Sequence, residues 1–80
     1  MTIEEFVKTL QSRLPGLEVQ ARDLTGDGNH FEAIFIGDAF DGKNRIDRQR
    51  LILNSLSEEW KGSLHALTLK TYTRQEWENL

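Results

Sequence analysis

The chain reads as an α+β domain in the order αββαβα, with a three-stranded mixed sheet packed against helices. Three observations predict this. Two segments of strand pattern, residues 17–22 and 31–36, flank the turn-forming stretch Thr25-Gly26-Asp27-Gly28-Asn29, as in an antiparallel hairpin. A helical pattern opening near Asn44 separates the second strand from a third at residues 66–72, and strands joined by a helical crossover run parallel. Two Thr-x-x-Glu signatures, Thr2 with Glu5 and Thr73 with Glu76, open helices near the two ends. At 80 residues the whole chain, 1–80, is one domain.

Each element has its own signal. Ile3, Phe6, Val7, Leu10 and Leu14 recur at helical spacing, and Pro15-Gly16 ends that helix. Residues 17–22 alternate apolar and polar, as a half-buried strand does. Residues 31–36 become apolar on both faces toward their end, which places that strand centrally. In the second helix Ile46, Gln49, Leu53, Leu56 and Trp60 form a stripe with Gln49 as its only polar member, and Gly62 is its stop. In the third strand His65, Leu67 and Leu69 share one face, while Thr68, Lys70 and Tyr72 share the other. Tyr72 and Trp77 occupy the two positions of a hydrophobic staple around the last, short helix. No internal repeat, linker or low-complexity stretch interrupts this order.

Composition excludes several classes. With no cysteine there are no disulfides, no thiol nucleophile and no thiolate-bound zinc or iron–sulfur cluster held by this chain alone. Small secreted domains usually depend on disulfides, so the expected location is cytoplasmic, or the interior of an organelle. Glu4, Glu5 and Lys8 interrupt the N-terminal apolar pattern, so it does not read as a signal peptide, and no apolar run is long enough to span a membrane. The net charge of −3 argues against a dedicated nucleic-acid binder, although local patches can override it. No catalytic motif is present, and so small a domain cannot exclude water around an acid–base pair; an enzyme is not expected.

Two constellations carry chemistry. Parallel strands begin at the same end of a sheet, so His30 and His65, each at a strand start, share one rim if their strands are neighbours. Two imidazoles fall short of the three or four protein ligands of a zinc site but can supply half of a shared one. Lys43, Arg45, Arg48 and Arg50 form a basic cluster at the start of the second helix, suited to phosphates or to an acidic partner. Residues 23–34 imitate a calcium loop, but Ile34 stands where the closing bidentate carboxylate belongs, so calcium is excluded.

Over nearly its whole length the sequence resembles the BolA family. The resemblance rests on three segments: Thr25-Gly26-Asp27-Gly28-Asn29-His30-Phe31; Phe40-Asp41-Gly42 followed by Arg48-Gln49-Arg50-Leu51; and His65-Ala66-Leu67-Thr68-Leu69-Lys70-Thr71-Tyr72-Thr73 with Glu76-Trp77. It implies a fold similar to the class II KH domain, without the G-x-x-G loop by which such domains clamp nucleic acid. It also implies a monothiol glutaredoxin partner and a shared [2Fe–2S] cluster. The glutaredoxin cysteine and glutathione would bring sulfur, with His65 and His30 as this chain's metal ligands. No cofactor is expected in the isolated chain, as a monomer or weak homodimer. The loop histidine suggests the histidine-type subgroup. Gln49 departs from the histidine that many relatives carry between the two arginines. Lys43, Arg45, Arg48 and Arg50 would contact the partner or glutathione carboxylates. The alternative is a DNA-binding transcriptional regulator using the same basic helix.

Overall fold

The computed structural model describes residues 2–26, 30–56 and 66–80. Their elements are α1 (Ile3–Arg13), β1 (Glu18–Asp23), β2 (His30–Ile36), a 3-10 turn (Asp38–Phe40), α2 (Arg45–Ser55), β3 (Ala66–Tyr72) and α3 (Arg74–Glu78). The class is α+β with a three-stranded mixed sheet. The strands lie in the order β1-β2-β3, with β2 antiparallel to β1 and parallel to β3.

Thr2 Oγ1 accepts the Glu5 N–H at 3.1 Å and so opens α1, although Glu5 does not complete the reciprocal half of the expected capping box. The predicted face is the buried one: Phe6 and Leu10 are fully enclosed, while Ile3, Val7 and Leu14 pack at the margin. Gly16 turns the chain at φ 92°, a left-handed conformation that favours glycine. The Gln11 side chain then reaches β1, donating to the Leu17 carbonyl at 2.6 Å and accepting the Val19 N–H at 3.1 Å.

The central position of β2 explains its apolar content. Phe31, Ala33, Phe35 and Ile36 are all fully buried, and the Phe31 ring meets Phe6 edge-on at 5.1 Å between centroids. Where β2 ends, Gly37 passes so close to the α1–β1 turn that a Cβ there would lie 2.8 Å from the Gly16 carbonyl oxygen. The following 3-10 turn sends Phe40 into the core.

The second helix differs from its expected form. Asn44 caps it by accepting the Asp47 N–H at 2.9 Å, but it ends at Ser55, well before Gly62. Its buried face is centred on Ile52, with Arg48, Gln49, Leu51 and Ser55 half-buried beside it. Ile46 is 60% exposed and Leu53 41%, so the expected stripe was set on the wrong side of the helix. The expected stripe also counts Leu56, which lies beyond the helix end, where the 3.6-residue period no longer applies. Leu56 is buried, but as the capping residue in an extended conformation. Trp60, Gly62 and His65 lie outside the described residues.

At the far end both predicted devices are present. Thr73 and Glu76 form a complete capping box, and the Tyr72 and Trp77 rings pack at 5.4 Å.

Candidate functional site

The parallel register places the start of β2 beside the start of β3, while His65 itself lies outside the described residues. His30 pairs with Ala66, the residue that follows His65 in sequence, so β2 and β3 begin together at one rim of the sheet. His30 is half-buried, and its Nδ1 lies 3.4 Å from Thr25 Oγ1. Its carbonyl accepts the Leu24 N–H at 2.8 Å. Asp23 folds the chain leading away from β1: its Oδ1 accepts the N–H groups of Thr25 at 3.2 Å and Gly26 at 2.9 Å. Among the described residues no group of three or more His, Cys, Asp or Glu side chains is arranged to hold a metal ion.

The basic cluster does not act as one patch. Lys43, Arg45 and Arg48 line a groove of about 530 Å³ that runs along β3, whereas Arg50 lies outside it with Nη1 3.7 Å from Asp47 Oδ1. Arg48 is already occupied. Its guanidinium donates to both Glu76 carboxylate oxygens, at 2.6 and 3.4 Å, and to the Lys43 carbonyl at 2.9 Å. It also lies 5.8 Å from the Phe40 ring centre. Only 14% of its side chain is exposed. Arg48 therefore joins the start of α2 to the start of α3, a positioning role that a count of charges in sequence does not reveal. Gln49 lies on the groove wall, half-buried.

Lys70 and Glu76 are the groove residues that charge-counting missed. Period-two alternation puts Lys70 on the face it shares with Thr68 and Tyr72, but only the crossover brings that strand beside the start of α2. The sequence marks Glu76 as a capping residue, and the fold adds its pairing with Arg48.

The Arg48 guanidinium, followed by the Thr73 N–H, holds the Glu76 carboxyl below the usual glutamate range. A carboxylate depressed in the folded state stabilises the fold above its unfolded pKa and loses that contribution as pH falls through the folded value. The loss therefore falls below about pH 4.3, the ordinary glutamate value. In Arg48→Met the Glu76 midpoint, read from side-chain carboxyl NMR shifts, is expected to rise toward that value. An unmoved midpoint would contradict the assigned cause.

The elements and side chains together define a small α+β domain with a histidine at one rim and a charged groove along one sheet edge. The chain belongs to the BolA-like protein family, whose model matches residues 11–76. It is 42% identical over 55 residues to the DNA-binding transcriptional regulator BolA of Escherichia coli, a match covering 69% of this chain and 52% of that protein. This chain thus spans about half the length of that relative. The acid stress protein IbaG of E. coli is 37% identical over 62 residues, 76% of this chain and 74% of the relative. The structure of a bolA protein homologue from Coxiella burnetii matches with a TM-score of 0.82 at 35% identity, covering 98% of this chain and 97% of that one.

Proposed function

We propose that this protein is an iron–sulfur adaptor: it pairs with a monothiol glutaredoxin and co-ligates a shared [2Fe–2S] cluster through His65 and His30, for cluster trafficking or iron-dependent regulation. The observation that carries the reading is the β2–β3 register, in which His30 pairs with the residue after His65. The donor chemistry fits a shared cargo. Two imidazoles can replace two thiolates on one iron, and a chain without cysteine must obtain its sulfur ligands elsewhere, here from the glutaredoxin cysteine and glutathione. Lys43 and Arg45 are exposed at the groove, at the far end of β3 from the His30 rim, and suit acidic groups of the partner protein rather than glutathione beside the cluster, whereas Arg48 and Arg50 already face Glu76 and Asp47. Such a complex needs a thiol-reducing compartment, cytoplasmic or within an organelle. The isolated chain, a monomer or weak homodimer, would carry no cluster.

The test is a titration into cluster-loaded monothiol glutaredoxin with glutathione, followed by visible absorption and circular dichroism. Wild type is expected to change the spectrum and slow cluster loss, His65→Ala to abolish both, and His30→Ala to weaken them. Spectra indifferent to both substitutions would refute histidine co-ligation.

A second reading, a DNA-binding regulator, is favoured by the similarity to the E. coli protein of that name. It predicts a salt-sensitive shift of a DNA duplex that Lys43→Ala and Arg45→Ala, at the exposed cations, abolish. No binding at low salt removes it.

A further inference from the structure

We propose that the outer edge of β3 binds an extended acidic segment of a partner protein by strand addition. β3 ends the sheet, with β2 on one side and no other strand beside it among the described residues. The Gly37 N–H donates to the Tyr72 carbonyl at 3.0 Å, so Tyr72 turns its backbone groups toward β2. In an extended strand successive residues alternate sides. Leu69 and Thr71 therefore direct their N–H and C=O groups away from β2. Both residues line the groove, and so do Lys70 and Tyr72. Four consecutive strand residues on one groove wall mean that the groove opens onto the strand edge rather than onto a sheet face.

The opposite edge of the sheet is covered at its start. There Gln11 lies against β1 and satisfies the Leu17 carbonyl and the Val19 N–H. No comparable side chain lies against β3 among the described residues. Open edges are usually a liability, and a lysine such as Lys70 guards against indiscriminate pairing. The same charge selects for an acidic strand.

Charge complementarity identifies the occupant. Arg48 and Glu76 neutralise each other, whereas Lys43, Arg45 and Lys70 are exposed and have no anionic partner among the described residues. A strand laid along Leu69 and Thr71 would gain main-chain hydrogen bonds from the edge and ion pairs from these cations. The groove lies at the C-terminal end of β3, away from the rim where His30 pairs with Ala66. The proposal thus goes beyond the cluster reading and does not depend on it.

A fluorescein-labelled octapeptide of alternating threonine and glutamate is the direct probe, followed by anisotropy and by amide NMR of the full chain. Binding that shifts the Leu69 and Thr71 amides supports strand addition. N-methylation of the peptide amides that would face β3 is expected to weaken binding about tenfold or more, as is the pair Lys43→Glu with Arg45→Glu. His30→Ala and His65→Ala are expected to bind the peptide as wild type does, which separates failure here from failure of the cluster reading. The proposal is overturned if a glutamine version binds equally well, if N-methylation has no effect, or if the shifted amides lie elsewhere. It is also overturned if a DNA duplex occupies this edge in preference to the peptide. Because N-methylation is tested on the wild-type protein, the outcome does not depend on whether the charge-reversal variant folds.

Discussion

Phe31→Ala is expected to leave little folded protein at 25 °C. The side chain is fully buried in the central strand, edge-on to Phe6 at 5.1 Å. Removing such a ring costs about 3–5 kcal/mol, through lost transfer energy and an imperfectly collapsed cavity. A domain of this size has on the order of 3–5 kcal/mol of stability in total, so the loss exhausts it. Phe31→Leu retains much of the volume and is expected to stay folded with a lowered midpoint. Urea unfolding followed by circular dichroism reads both. A native midpoint in Phe31→Ala would mean that the β2–α1 contact is not the centre of the core. The consequence reaches the candidate site, because Phe31 directly follows His30 and anchors the start of β2.

Ile52→Ala is expected to cost about 2–5 kcal/mol, whereas Ile46→Ala stays within about 0.5 kcal/mol and Leu53→Ala falls between them. Ile52 is the only buried side chain within α2, at 0% exposure, against 60% for Ile46 and 41% for Leu53. Ile52 is thus the one fully enclosed side chain of the helix, with Leu51 and the Arg48 anchor beside it, and its loss is expected to loosen the segment that carries Arg45. Urea midpoints for the three variants decide the matter. If Ile46→Ala proves the costliest, the inward face of α2 has been assigned to the wrong side.

Most of the architecture was legible because the local signals agreed with one another. Residues 66–72 alternated cleanly and form β3 with those bounds, and the apolar run in β2 corresponds to a strand paired on both sides. Thr73, Glu76, Tyr72 and Trp77 act within a few residues of one another, so their cap and staple needed no tertiary information. The parallel sense of β2 and β3 followed from the crossover, whereas their adjacency, which brings His30 opposite Ala66, is decided by the fold. The face of α2 was misread for a physical reason. A mixed helix offers more than one stripe at three- and four-residue spacing, and only packing selects among them. Here the selected face includes Arg48, a cation whose long apolar stem can be buried while its head finds a partner.

By itself the sequence determined the class, the order of elements, the sense of strand pairing, the caps and the absence of thiol chemistry. All of these depend on short-range patterns or on composition. The tertiary structure alone decided which charges remain available. Glu76 lies 28 residues from Arg48 along the chain yet binds it at 2.6 Å, taking one arginine out of the basic cluster. The crossover carries Lys70 of β3 to the groove that Lys43 and Arg45 also line, beside an edge that no other described strand covers. Charge in sequence is a property of residues, whereas unpaired charge is a property of distances, and only the folded chain sets those.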